Sequence, residues 1–268
     1  MNLIKYLIAV LLSIVCSVWA GDLEDASSAL NSKDFPRALN LLKRAASKND
    51  AFAQLQIGNM YNEGLGVKQD YIEASRWYKL AAVQRNARGQ LSIGYAYAMG
   101  QGVIQDDETA VFWYKLSAVQ GYDIAQNNLG MMYGSGRGVL KDDVEAVHWF
   151  KLAADQKYAT AQFNLAKSYD GGLGVIQDYV AAIYWYKLAA SQGNSSAQSN
   201  LSVLYSQGQG VAQDYVRSHM WSNLAAASGN IFAVKNRDII AAKMTLQQIA
   251  EAQKLARECL ARNFKNCD

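Results

Sequence analysis

Apolar residues recur along most of the chain at spacings of three and four residues, which is the pattern of amphipathic helices. The segment 159–194 holds two such stripes, the first formed by Ala161, Leu165, Ala166 and Tyr169 and the second by Ala182, Trp185, Tyr186 and Ala189. Between them lie Gly172 and Gly174, and glycine adopts the positive φ of a tight turn at no steric cost. Asp178 then stands where a helix N-cap is expected. The pattern therefore predicts two helices joined by a glycine turn.

This segment recurs five times with a period of 36 residues. The recurring tryptophans are Trp77, Trp113, Trp149, Trp185 and Trp221, and the recurring aspartates are Asp70, Asp106, Asp142, Asp178 and Asp214. Self-similarity at such a period is typical of repeat proteins, because one helical hairpin cannot bury both of its apolar stripes alone. We therefore predict one elongated all-α domain of stacked repeats, with copies at 51–86, 87–122, 123–158, 159–194 and 195–230.

The pattern shared by these copies is similar to the Sel1-like repeat, a relative of the tetratricopeptide repeat. In the third copy the matching residues are Ala125, Gln126, Leu129, Gly130, Met132, Tyr133, Gly136, Gly138, Val139, Asp142, Ala146, Trp149, Leu152, Ala153 and Ala154. The fifth copy departs from the pattern at Ser202, Ser218, Ser222 and Asn223, as expected of a copy next to a cap. The resemblance implies a right-handed α-solenoid of stacked helix-turn-helix repeats. It also implies adaptor or assembly work, often in bacterial envelope complexes or at the host surface.

Both ends of the repeat array carry segments that we interpret as caps. Residues 21–50 hold a shorter hairpin without the Gly-x-Gly turn, which resembles an ordinary tetratricopeptide-type unit. After residue 230 a helix is expected to continue to about Ala241. Thr245 and Gln248 then have the capping-box spacing of a last helix, expected over 246–260. Residues 231–268 are therefore predicted to be C-terminal capping helices and a tail.

Residues 1–20 have the features of a secretory signal peptide. Lys5 provides a basic start, the apolar run that follows is shorter than the ~20 residues of a membrane span, and Ala20 ends a cleavage pattern. We therefore expect a mature protein that starts at residue 21, is periplasmic or secreted, and has no membrane contact. An uncleaved anchor is one alternative. Lipidation at Cys16 is another, although no glycine or alanine directly precedes that cysteine.

The net charge and the cysteines indicate which partners and which covalent links to expect. The formal net charge is +3, and loss of Lys5 with the signal peptide gives +3 − 1 = +2, with no basic cluster. Nucleic acid is therefore not an expected partner. Cys259 and Cys267 lie close together outside the repeats, and in an exported protein we predict that they form a disulfide. Two free thiols on a frayed end are the alternative.

The sequence offers little sign of catalysis, a metal or a cofactor. His148 and His219 are the only histidines, and the equivalent positions of other copies carry unrelated residues, which indicates packing or surface roles. Residues 134–138 could be mistaken for a phosphate loop, but they form one of five equivalent turns rather than a strand-to-helix turn. We therefore predict a protein that is not an enzyme and holds no cofactor or metal. β-Lactamase-like or cell-wall-related hydrolysis, assigned to some cysteine-rich relatives, is a minor alternative, because the repeats here contain no cysteine.

The variable positions of the first helix in each copy remain as a candidate binding surface. By similarity to tetratricopeptide grooves, the predicted protein-binding residues are Phe52, Asn59, Arg88, Tyr95, Asn127, Met131, Phe163 and Lys167. Their mixed apolar and amide character suits an extended peptide or a helix; packing between repeats is the alternative for each of them. The resulting hypothesis is an exported monomeric scaffold that binds a protein or peptide in its concave groove. A secreted factor acting on host-cell proteins is the second hypothesis.

Overall fold

The computed structural model describes residues 21–267, and within that range every regular element is a helix. The fourteen helices are α1 (21–31), α2 (Phe35–Ala46), α3 (Ala51–Glu63), α4 (Tyr71–Val83), α5 (Ala87–Met99), α6 (Asp107–Ala118), α7 (Asp123–Ser135), α8 (Asp143–Asp155), α9 (Ala159–Gly171), α10 (Tyr179–Ala190), α11 (Ser195–Gln207), α12 (Tyr215–Ala227), α13 (Ile231–Ala241) and α14 (Leu246–Ala261). The all-α solenoid prediction is confirmed. The predicted signal peptide, residues 1–20, lies outside the described residues.

The chain divides into two compact units, Met1–Tyr122 and Asp123–Asp268, called unit 1 and unit 2 below. In unit 1, α3 pairs with α4 and α5 with α6; in unit 2, α7 pairs with α8, α9 with α10 and α11 with α12. Each pair is one predicted copy, and its two members are called the first and the second helix.

The helix ends follow the predicted turn and cap chemistry. The carboxylate of Asp70 accepts hydrogen bonds from the backbone N–H groups of Ile72 and Glu73 at 2.9 and 3.0 Å, and Asp178 caps α10 in the same way. The first helices α3 and α9 end at Gly64 and Gly172, both in the left-handed conformation. These two devices satisfy free backbone groups at the helix ends and fix the turn between the helices of each copy.

In the first three copies the first helix packs a glycine against a ring of its second helix. A Cβ atom built on Gly130 would lie 2.7 Å from the Phe150 ring, and one on Gly58 would lie 2.6 Å from the Tyr78 ring. Glycine at these positions therefore sets how closely the two helices approach, which is a packing role rather than a conformational one.

A glutamine pair bridges the two helices of four copies. The amide nitrogen of the glutamine after each second helix donates to the amide oxygen of a buried glutamine near the start of the first helix. The pairs are Gln84 to Gln54 (2.7 Å), Gln120 to Gln90 (2.7 Å), Gln156 to Gln126 (2.8 Å) and Gln192 to Gln162 (2.8 Å). In the fifth copy Ser228 replaces the donor, and Oε1 of the fully buried Gln198 has no hydrogen-bond partner in the described chain.

The second glycine of the turn lies against the start of the preceding second helix. A Cβ on Gly174 would overlap the carbonyl oxygen of Asp143, and one on Gly102 would overlap that of Tyr71. Both glycines have positive φ (72° and 69°), so conformation and space both require glycine there. Within each unit, the turn of one copy therefore rests on the second helix of the copy before it.

The C-terminal helices cover the last repeat as capping elements. Both α13 and α14 pack against α12, and the predicted capping box of Thr245 and Gln248 is present at the start of α14. Cys259 forms a disulfide with Cys267. The bond holds the tail where the ring of Phe264 lies 3.6 Å from the position of a Cβ on Gly193.

Candidate protein-binding site

Each first helix exposes one continuous stripe at positions i, i+4, i+7 and i+11, which is a single helix face. In unit 2 these residues are Ile124, Asn128, Met131 and Ser135 on α7, Thr160, Asn164, Lys167 and Gly171 on α9, and Ser196, Asn200, Val203 and Gln207 on α11, all half-buried or exposed. We call this set the first-helix face of unit 2. It has few charges and several hydrogen-bonding groups, as a surface that receives a peptide requires.

Three asparagines occupy the same position on the three first helices of unit 2, namely Asn128, Asn164 and Asn200. The amide nitrogen of Asn164 donates to Oδ1 of Asn127 at 2.9 Å, and that of Asn200 donates to the hydroxyl of Tyr186 at 2.7 Å. Within residues 21–267, the side-chain oxygens of Asn164 and Asn200 accept no hydrogen bond. These amides are therefore held in place on one side and open on the other.

The hydroxyl of Tyr186 anchors this arrangement from the core. It donates to Oδ2 of Asp170 at 3.1 Å and accepts from Asn200. Burial, followed by the charge of Asp170, raises the pKa of Tyr186 well above its usual range. The hydroxyl is therefore protonated at physiological pH, and its bond to Asp170 persists.

Apolar and basic groups lie beside the asparagines. The side chain of Met131 is 45 % exposed. Phe163 is half-buried, with its ring centroid 5.9 Å from that of Tyr186, and Nζ of Lys167 lies 5.8 Å from the Phe163 ring centroid. Unit 2 thus offers an apolar contact, a cation and open amides on one face.

In unit 1 the predicted residues lie on the corresponding faces of α3 and α5. Phe52 and Tyr95 are 39 % and 45 % exposed, and Arg88 is exposed. Asn59 is half-buried, and its side-chain oxygen accepts a hydrogen bond from the Tyr78 hydroxyl at 3.0 Å. Three of these four side chains are therefore accessible to a ligand.

Asn127 corrects the sequence interpretation. Its side chain is 1 % exposed, because it points between helices and accepts the hydrogen bond from Asn164. The exposed asparagine is its neighbour Asn128. The residues at the same position in the other copies were not predicted from the sequence either; they are Gln56, Ser92, Asn164 and Asn200. Position 56 lies four residues after Phe52 and three before Asn59, so the helical spacing of these two predicted residues could have indicated it.

The two histidines show no sign of a catalytic arrangement. His148 is exposed and contacts the edge of Trp149, with ring centroids 5.2 Å apart. His219 is buried, and burial, followed by the charge of Arg237, lowers its pKa. Within residues 21–267, no group of three or more metal-binding side chains occurs. None of the helices in that range is long and apolar enough to cross a membrane.

Comparisons with known protein families and with solved structures identify the same family. The family model described as Sel1 repeat matches residues 32–50, 51–84, 87–122, 123–158, 159–194 and 195–230. The first match falls within residues 21–50, which the sequence predicts to be an N-terminal cap. No curated protein sequence matches the chain.

Two solved structures resemble the chain at about 30 % identity. One is a protective antigen of uropathogenic Escherichia coli strains displaying an SLR fold, with 31 % identity and a TM-score of 0.87. The match covers 93 % of this chain and 54 % of that protein, so this chain spans about half the length of the antigen. The other is a Sel1 repeat protein from Oxalobacter formigenes, with 30 % identity and a TM-score of 0.75. That match covers 88 % of this chain and 99 % of the Oxalobacter protein.

Proposed function

Because the chain belongs to the Sel1 repeat family, whose members generally act in protein–protein interaction, we propose that it is an exported scaffold that binds an extended peptide segment of another protein. The segment lies along the first-helix face of unit 2. The observation that carries this proposal is the row formed by Asn128, Asn164 and Asn200.

A side-chain amide offers one acceptor and two donor hydrogens, so it can pair with a peptide group in both directions. An extended peptide has unpaired N–H and C=O groups that need partners when it is buried. Packed helices lie about 8–10 Å apart and an extended chain advances about 3.3 Å per residue, so one asparagine would serve about every third residue. The row therefore favours recognition of a backbone rather than of one particular side chain.

Side chains around the asparagine row would favour some ligand sequences over others. Met131 and the ring of Phe163 suit an apolar side chain of the ligand, and Lys167 suits a carboxylate. We expect a ligand with apolar residues and one acidic group, bound with modest sequence selectivity.

Export belongs to the proposal because of the signal-like residues 1–20 and the disulfide between Cys259 and Cys267. The similarity to a protective antigen also favours a protein outside the cytoplasm. The proposal places the protein in the periplasm or the medium, as a monomer. A host-cell protein as ligand would instead make it a secreted factor acting on the host.

The test is photo-crosslinking in cells from positions 131, 164 and 167, with positions 148 and 184 on second helices as exposed controls. We expect discrete adducts from the first set only, and mass spectrometry of each adduct identifies the ligand segment. A synthetic peptide of that segment should then bind at least tenfold more weakly to Asn164→Ala/Asn200→Ala than to the natural chain. Adducts from the control positions only, or turnover of a β-lactam substrate by the pure protein, would contradict the proposal.

A further inference from the structure

Large apolar side chains project almost completely into solvent at one recurring position of the glycine turns. Ile104 in unit 1 is 91 % exposed, and Leu140 and Ile176 in unit 2 are 90 % and 91 % exposed. Single exposed apolar residues are ordinary on protein surfaces. A repeated row of them is not explained by the fold, because these side chains support no helix or turn.

In unit 2 this row continues onto the second helices. Val144 and Val180, near the starts of α8 and α10, are 66 % and 65 % exposed. The turn residue Gly174 packs against the backbone of Asp143 and Val144, which brings the turn carrying Ile176 beside Val144. Leu140, Val144, Ile176 and Val180 therefore lie along one edge, which we call the turn edge of unit 2.

Unit 1 has a similar arrangement on a smaller scale. Ile72 is 57 % exposed, and an open cleft of about 660 Å³ is lined by the start of α4 and the following turn, including Tyr71, Ile72, Val103 and Ile104. The exposed apolar edge thus recurs in the second, third and fourth copies, whereas the first and fifth carry Lys68 and Ala212 at this position. Contiguous exposed apolar surface of this kind marks interaction sites.

Charge along the turn edge of unit 2 indicates what covers it. Asp142, Asp143, Glu145 and Asp178 contribute four carboxylates, against the two cations Arg137 and Lys141, of which Lys141 pairs with Asp143 at 3.1 Å. The edge is therefore apolar with a net negative charge. A second copy of this edge, or an anionic lipid surface, would bring like charges together and be disfavoured.

We propose that the turn edge of unit 2 is a protein-binding surface separate from the first-helix face, and that its ligand is an amphipathic segment of another protein with apolar side chains flanked by lysine or arginine. The apolar side chains of the ligand cover Leu140 and Ile176, and its cations face Asp143 and Glu145. Nothing in this proposal requires the first-helix face to bind a peptide.

The test uses the full chain and a fluorescent helical peptide of leucine and lysine, with a leucine and glutamate peptide of the same pattern as the matched control. We expect the leucine–lysine peptide to bind, and Leu140→Ser/Ile176→Ser to lower its affinity at least tenfold. Asp143→Asn/Glu145→Gln should lower the affinity several-fold and weaken its salt dependence. Met131→Ser, on the first-helix face, should leave it unchanged.

Because Leu140 and Ile176 are almost fully exposed, their replacement should leave the melting temperature unaltered, so a lost affinity reports the surface. Equal binding by Leu140→Ser/Ile176→Ser, or equal binding of the leucine–glutamate peptide, would overturn the proposal. So would a dimer of the natural chain that this double variant converts to monomer, or binding to vesicles of anionic lipid that it abolishes. The Met131→Ser variant separates these outcomes from failure of the first-helix face.

Discussion

The hydroxyl groups of Ser202 and Ser222 lie 2.6 Å apart in the core of the fifth repeat, at the positions that Gly130 and Phe150 occupy in the third. In the first three repeats the ring at the second position leaves no room for a Cβ at the first, whereas the fourth repeat holds Ala166 and Tyr186 there. In the fifth repeat, which has no ring here, the hydroxyl of Ser202 occupies the space and forms a hydrogen bond with the hydroxyl of Ser222. Both positions changed together in the fifth repeat, and each buried hydroxyl is the hydrogen-bond partner of the other, so this divergence is a compensated change.

Gly130→Ala should destabilise the protein by about 1–3 kcal/mol, because the new methyl group would meet the Phe150 ring at 2.7 Å. The double variant Gly130→Ala/Phe150→Leu should cost less than the sum of its two single variants, since the smaller side chain leaves room for the methyl. Chemical denaturation of all four proteins measures this coupling. Additive free energies would show that the two residues do not limit the approach of α7 and α8.

Ser228→Gln should stabilise the fifth repeat by about 1 kcal/mol, because it supplies the donor that the buried Oε1 of Gln198 lacks. The matched loss is Gln192→Ser, which removes the 2.8 Å hydrogen bond to Gln162 and should cost about 1–3 kcal/mol. Thermal denaturation compares the two variants with the natural chain. Shifts of the same sign would contradict the glutamine-pair explanation.

Lys157→Gly should stabilise unit 2 by about 1 kcal/mol, because Lys157 has a φ of 68°, a conformation that is strained for a residue with a side chain. Gly229 has a φ of 83°, and a Cβ placed there would meet no atom within 4 Å. Gly229→Ala therefore tests the cost of a positive φ alone, without a steric clash, and should destabilise the protein by a similar amount. If both substitutions were neutral in denaturation, backbone strain at these helix ends would be negligible.

Reduction of the disulfide between Cys259 and Cys267 should lower the free energy of unfolding by about 2–3 kcal/mol, because it frees the tail in the unfolded chain. The loss should appear first in hydrogen exchange of α14, which the tail holds against the last repeat. The variant Cys259→Ala/Cys267→Ala is the control, since its melting temperature should not respond to reductant. If reductant lowered the melting temperatures of both proteins equally, the loss of stability would not come from this disulfide.

The sequence predicted the helices and their ends closely, because each depends on local chemistry: Asp178 caps a helix with its own carboxylate, and Gly172 turns with its own φ. The binding face was predicted less well. Asn127 and Asn128 are adjacent asparagines, and which of them is buried depends on a hydrogen bond to Asn164 of the next copy. Variability among copies does not reveal that contact. The exposure of Ile176 was likewise invisible, since a turn residue can be covered or bare depending on the neighbouring copy.

Successive copies are joined by the same bond. Gln162 donates to the carbonyl of Ala154 at 3.2 Å, and 36 residues later Gln198 donates to that of Ala190 at 3.3 Å. Excising residues 159–194 would bring Gln198 to Ala154 as an equivalent partner, so we expect the shortened chain to fold, with cooperative melting as the check. In-frame duplication or loss of one such block at the gene level can then lengthen or shorten the binding surface by one whole unit, without any new core having to evolve.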